Sequence, residues 1–180
     1  MLEFALVVPL LLLLAFGSAE MGLAWVANNR TEGSTSTAAR IAASSGSLVE
    51  ADRSVLQSLK SSLPQEQLDR LDRVVIFKPT NAGGGIPDDC IKAVGSLDES
   101  GVPKQCNTYA GATLQGAIPA DLGASDDSWA PATRKDRLSG PPDYIGVWIR
   151  TTYTTKTGTF FRDMTITKTS IYRIQPDIDG

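Results

Sequence analysis

The chain contains no histidine and only two cysteines among its 180 residues. It therefore lacks the commonest metal ligand and general base, and two cysteines are too few for a structural zinc site. Its 17 basic and 20 acidic residues give a net charge of -3, whereas a nucleic-acid-binding domain is normally basic. These absences argue against most classes of enzyme and against a nucleic-acid partner.

The sequence shows no arrangement typical of a catalytic centre. A serine nucleophile without histidine needs a lysine base, and no lysine follows a serine by three positions. The glycines at 83–85 lack the ending of a phosphate-binding loop. The acid pairs at 88–89 and 126–127 are typical of solvated loops, with calcium binding or a glycosidase-like pair as alternatives. We therefore expect no catalytic residues, no cofactor and no metal.

A long apolar run lies near the start of the chain. Residues 4–19 carry no charge and include five consecutive leucines at 10–14, and the whole stretch 2–27 is interrupted only by Glu3 and Glu20. A helix of about 20 apolar residues crosses the ~30 Å hydrocarbon core of a bilayer. The alternative is a helix in the core of a soluble protein. Such a helix normally has a polar face, and consecutive leucines leave none. We predict a transmembrane helix over residues 1–27.

Three membrane interpretations are open. Gly17 and Ala19 suit the cleavage site of a secretory signal, but the basic start of such a signal is missing. In a plain single-pass anchor, Arg30 and Arg40 follow the span and would place the polar bulk in the cytoplasm by the positive-inside rule. If the natural chain begins upstream with a basic leader, the conflict over orientation disappears.

An acidic residue stands at the entrance of the apolar run. Glu3 near a helix N-terminus faces the positive end of the macrodipole, and it can reach the α-amino group of a neighbouring chain. The sequence Glu3-Phe4-Ala-Leu, with Pro9 before a leucine run and Glu20 as a second acid, resembles the processed start of type IV pilin-like proteins. It is most similar to the TadE family of minor pseudopilins from tight-adherence (Flp) pilus systems. In that family the glutamate stands fifth in the mature chain, whereas here it is third.

The resemblance extends less sharply along the rest of the chain. TadE-like proteins of this type have a helical stalk, a short apolar strand, a cysteine pair and a C-terminal β-hairpin, which resembles the order of residues 74–77, Cys90, Cys106 and 143–147. It implies a subunit of a bacterial cytoplasmic membrane with an extracytoplasmic head. Its implied partners are the lipid bilayer, other pilin-like subunits, the inner-membrane assembly platform and, if a leader exists upstream, a prepilin peptidase. Glu3, Phe4 and Pro9 are the implied assembly residues.

Small side chains within the apolar run form a candidate packing face. Ala15, Ser18, Ala19 and Gly22 lie on neighbouring turns, and such small residues let helices approach closely in lipid. A chance distribution of small residues is the alternative. We predict that this face contacts other pilin-like helices.

Beyond the apolar run the sequence becomes polar. Residues 28–36 fit either a continued helix or a hinge, and we favour a hinge or a frayed helix. Ser47 and Glu50 form a capping-box pattern, which predicts a helix over residues 48–62, and Pro64 suits the first turn of a second short helix.

The C-terminal part predicts β-structure. Residues 74–77 read as a short strand and 78–142 as an irregular, loop-rich region, since glycine and proline recur there. Residues 145–154 alternate in polarity and a glycine follows shortly, which predicts a hairpin returning through 159–174. Met164 and Ile166 share the phase of Tyr172 and Ile174, which indicates that the returning strand packs this face on the stalk helix.

Cys90 and Cys106 are an even pair in a part of the chain expected outside the cytoplasm, which favours a disulfide. A redox-active pair and two buried thiols are the alternatives. The sequence predicts an α+β protein with three segments: a pilin-like transmembrane helix at 1–27, a helical stalk at 28–73 and a β-rich head at 74–180. Its expected function is assembly of a tight-adherence pilus, and the alternative is a membrane-anchored extracytoplasmic binding module unrelated to pili.

Overall fold

The computed structural model describes residues 2–92, 105–120, 122, 126–127, 129–136, 141–156 and 163–175, except the side chains of residues 2–3, 5–6, 92 and 126–127. Helix α1 (Leu2–Ser45) is followed by α2 (Ala51–Ser62), α3 (Gln65–Leu68), strand β1 (Leu71–Phe77), α4 (Asp88–Lys92), β2 (Cys106–Ala110), α5 (Ala112–Gln115), β3 (Asp126–Asp127), a 3₁₀ turn (Pro131–Thr133), β4 (Tyr144–Tyr153) and β5 (Met164–Arg173). The architecture is α+β, as the sequence predicts.

The strands form one antiparallel sheet in the order β3-β2-β1-β4-β5. Strand β1 lies at its centre, where Val75 is opposite Thr108 of β2 and Trp148 of β4. The long hairpin β4–β5 pairs from Tyr144 with Arg173 to Tyr153 with Met164, which confirms the predicted hairpin.

Both faces of the sheet are covered. Val74 and Ile76 of β1 share a core with α1 and α2, whereas Val75 and Phe77 pack on the opposite face with the two cysteines and Trp148. All four residues of this run are fully buried. A short continuous apolar run is typical of a strand buried on both faces.

The second half of α1 lies along this sheet. Four alanines form its contact with the core, and they are 0–2% exposed: Ala38, Ala39, Ala42 and Ala43. Tyr172 hydrogen-bonds with Ser36 and accepts one from Arg40, while Ile174 is buried in the same core. The returning strand therefore packs on α1, as its phase predicts.

The hinge predicted at residues 28–36 is wrong, because α1 continues through them without a break. The buried hydroxyls of Thr31 and Thr35 donate to the carbonyl oxygens of Ala27 and Thr31, at 2.8 and 2.7 Å. The polar side chains are thus satisfied within the helix itself, and contact with the sheet holds the segment helical.

The capping box predicted at Ser47 is also wrong. Helix α2 begins at Ala51, and its N-cap Glu50 makes no side-chain capping bond. Gly46 has a positive φ of 47°, and Leu48 N–H donates to the Ser45 carbonyl in the turn that follows. This turn uses residues 46–50, so the helix starts later than the pattern suggests.

The central region is less irregular than expected. Pro64 is the N-cap residue of α3, so the short helix predicted at this proline is present. Strand β1, predicted for residues 74–77, already begins at Leu71. Strand β2, which the sequence pattern does not predict, has five residues that pair with β1 from Phe77–Cys106 to Arg73–Ala110. This strand is short and flanked by glycine-rich and proline-rich sequence, so its pairing partner rather than its own pattern defines it.

Candidate functional site: the exposed half of the first helix and its junction with the head

We call residues 2–19 of α1 the exposed segment and the described residues from 46 to 175 the head. Wherever its side chains are described, the exposed segment has no buried residue. Leu10 to Leu14 are each 47–64% exposed, and at 100° per residue five consecutive side chains surround the helix. From Val7 to Ala19, where every side chain is described, the helix is therefore apolar and without a buried face for about 20 Å along its axis.

This segment has the properties of a membrane span. Within Val7–Ser45, a window of 18 residues has a mean hydropathy of 1.9 and is 6% buried. A core helix of a soluble domain is mostly buried instead. Helix α1 is thus long and apolar enough to cross a membrane once.

The three predicted assembly residues lie at the tip of this segment. Glu3 is in the first turn of α1, and its side chain lies outside the described residues. Phe4 is 74% exposed, and Pro9 is an exposed residue inside the helix. Phe4 and Pro9 are therefore free of the head, and the roles of all three residues stay predictions.

The predicted small-residue face is open. Ala15, Ser18, Ala19 and Gly22 are all exposed, and a Cβ atom added to Gly22 would meet no atom within 4 Å. The Ser18 hydroxyl donates to the Ala15 carbonyl at 3.0 Å, which satisfies it inside the helix. At 100° per residue, these four residues share the side of α1 opposite to the buried stripe of alanines at 38–43. The face therefore points away from the head, where another helix can reach it.

The head first touches α1 at Glu20, which is only 2% exposed. One oxygen of its carboxylate accepts hydrogen bonds from the Tyr153 hydroxyl at 3.2 Å and from the Lys156 backbone N–H at 2.7 Å. Burial, and then the hydrogen bond with Glu20, raise the pKa of Tyr153 above its usual value, so the phenol stays a neutral donor. The second acid of the apolar run thus joins the helix to the end of β4.

A buried polar cluster lies inside the head, and no sequence pattern predicts it. Asp52 and Arg134 form an ion pair at 2.6 Å with both side chains nearly inaccessible. Asn107 and Tyr109 donate to the second oxygen of the same carboxylate, at 2.6 and 2.8 Å. The Arg134 guanidinium also lies 4.7 Å from the centre of the Trp129 ring. Because these residues come from distant parts of the chain, only the fold brings them together.

Cys90 and Cys106 form a disulfide, as predicted, with their Cα atoms 6.2 Å apart. The bridge joins α4 to the start of β2 and is 0–1% exposed, packed against Phe77 and Trp148. Such burial suits a structural bridge rather than a redox-active one, which needs access to a reaction partner.

The match to a known family falls on the part of the chain that contains the exposed segment. The model of the family described as TadE-like protein matches residues 1–40. A comparison with curated proteins gives no match, and neither does a comparison with solved structures. The matched residues include the exposed segment, the junction at Glu20 and the start of the contact with the sheet. Over its N-terminal 40 residues the chain is therefore similar to TadE-like proteins.

Proposed function

We propose that the protein is a minor pilin-like subunit that takes part in assembling a tight-adherence pilus in a bacterial cytoplasmic membrane. The observation that carries the proposal is one continuous helix with two environments: an apolar half exposed on all sides and a half packed into a folded head. The match of a TadE-like family model to this helix supports the same function. The proposed role is structural and involves no catalysis.

In this proposal the exposed segment crosses the membrane and the head lies on the extracytoplasmic side. The disulfide Cys90–Cys106 supports this orientation, because disulfides form and persist in oxidising compartments. A head on the cytoplasmic side would meet reducing conditions.

Assembly then proceeds through contacts between helices in lipid. The face of Ala15, Ser18, Ala19 and Gly22 lets a second pilin-like helix approach closely, since nothing in the protein itself covers it among the described residues. Glu3 pairs with the N-terminal amine of an adjacent subunit or directs recognition by the assembly platform. An anion at an apolar helix entrance needs such a partner.

The helix face is tested by Gly22→Ile, with Gly17→Ile as its matched control. Both glycines have open space where a Cβ would be placed, but their positions differ by about 140° around the helix. We expect Gly22→Ile to weaken association with other pilin-like helices in a membrane two-hybrid assay and Gly17→Ile to leave it unchanged. Equal signals for the two variants and the unaltered chain would reject this face.

The role of Glu3 is tested by Glu3→Gln, which keeps the size of the side chain and removes its charge. We expect the variant to insert into the membrane but to lose pilus assembly and surface adherence. Normal assembly would show that Glu3 does not have this role. Normal pili in a strain lacking the whole protein would instead favour a membrane-anchored binding module.

A further inference from the structure

The apolar surface of α1 does not end where the head begins. Glu20 is covered, yet Met21 and Trp25, further along the helix, are 65% and 68% exposed. The distance from Glu20 to Val26, the last exposed large apolar residue of α1, is about 9 Å along the helix axis. One side of the helix therefore remains apolar next to the part of the head that contacts Glu20.

An open cleft of about 410 Å³ lies at this level, between α1 and the start of β5. Met21, Ala24 and Trp25 are the apolar residues of its helical wall, and Met164 and Ile166 are the apolar residues that line it from the strand. Met164 is 40% exposed. The cleft is thus continuous with the apolar surface of the exposed segment.

The direction of β5 identifies the end of the head that faces the membrane. Ile166 packs against Ala24 and Ala27, whereas Gln175 N–H donates to the Ala43 carbonyl. Strand and helix therefore run in the same direction, so Met164 lies at the membrane-proximal end and Arg173 at the distal end.

The polar groups at this level suit the boundary between lipid and water. Tryptophan is enriched at membrane interfaces, where Trp25 would lie. The Glu20 carboxylate has its hydrogen bonds from Tyr153 and Lys156, which lowers the cost of bringing it close to hydrocarbon.

A protein occupant fits the cleft less well than a lipid. The small-residue face, which suits another helix, is turned about 120° away from the centre of the wall formed by Met21, Ala24 and Trp25. A helix packed on that face leaves the cleft open to the bilayer.

We propose that the acyl chain of a membrane phospholipid occupies this cleft, so that the membrane-proximal end of the β4–β5 hairpin lies within the lipid interface. The head then rests in the bilayer surface instead of standing above it. This inference rests on the proposed membrane insertion of the exposed segment.

The test uses the full chain in vesicles of phosphatidylethanolamine and phosphatidylglycerol, with the photoreactive residue benzoylphenylalanine replacing one residue at a time. Met164 probes the cleft, Arg173 is the control at the far end of the same strand, and Phe16 reports the span. After illumination, mass spectrometry distinguishes a phospholipid adduct from a protein adduct. We expect lipid adducts at Met164 and Phe16 in several times the yield at Arg173.

A lipid adduct at Phe16 without one at Met164 would overturn the inference and leave the proposed membrane insertion intact. A covalent dimer formed from Met164, or equal lipid yields at Met164 and Arg173, would also overturn it. No adduct at Phe16 would overturn the insertion itself. Thr165, an exposed residue that also lines the cleft, provides a second probe if the Met164 variant loses its fold.

Discussion

The two halves of α1 carry apolar residues of very different size. The half packed on the sheet presents alanines, and Ala38, Ala39 and Ala42 are fully buried. The exposed segment presents leucines that are 47–64% exposed at positions 10–14. Small residues let a helix backbone approach a sheet, whereas large ones suit an apolar solvent. Among the apolar residues of α1, side-chain size therefore distinguishes the half packed on the sheet from the exposed segment.

The largest effect is expected from Arg134→Met, which leaves the Asp52 carboxylate buried without its cation. Breaking a buried ion pair costs about 3–5 kcal/mol, so the head should lose most of its stability while the exposed segment still inserts. Urea unfolding in detergent, followed by tryptophan fluorescence, measures the loss. The control Lys156→Met breaks the exposed pair with Glu66 and should cost less than about 1 kcal/mol. Equal losses of unfolding free energy in the two variants would show that the buried Asp52–Arg134 pair stabilises the head no more than an exposed pair does.

The double variant Cys90→Ser, Cys106→Ser should destabilise the head by about 3 kcal/mol, because the bridge restricts the unfolded chain. Protease sensitivity of the head should rise while membrane insertion stays unchanged. Two free thiols in the non-reduced natural protein, detected by mass spectrometry, would contradict this account of the bridge.

One substitution made in each half of α1 tests the comparison directly. Ala39→Leu adds volume to a fully buried position and should cost about 1–3 kcal/mol by overpacking. Ala15→Leu makes the same change in the exposed segment and should leave the urea midpoint of the head unchanged. A shift of that midpoint by Ala15→Leu would mean that the exposed segment contacts the head.

The smallest effect is expected at the junction. Glu20→Gln keeps an oxygen acceptor for Tyr153 and Lys156 but removes the charge, and should cost about 1 kcal/mol. Glu32→Gln is the control, because Glu32 belongs to the same helix and pairs with Lys168 at the surface. A loss of about 0.5 kcal/mol or less is expected there. If both variants lower the free energy of unfolding equally, the hydrogen bonds of Glu20 stabilise the protein no more than a surface ion pair does.

The sequence predicts the features that depend on local pattern. The apolar run, the alternation of the β4–β5 hairpin and the single cysteine pair each follow from the local sequence. The predicted capping box does not form, because residues 46–50 belong to a turn in which Gly46 has a positive φ. The hinge failed because contact with the sheet keeps residues 28–36 helical. Strand β2 and the Asp52–Arg134 pair depend on partners far along the chain, which no local pattern reveals.

The central claim is that one helix is divided between a bilayer and a folded head outside the cytoplasm. It is tested most directly by washing membranes that contain the full chain with alkaline carbonate and, separately, treating spheroplasts with protease. The account predicts that the chain stays in the membrane pellet, and that external protease removes the head and leaves a protected N-terminal fragment. Release of the chain into the wash, or a head protected from external protease, would contradict it.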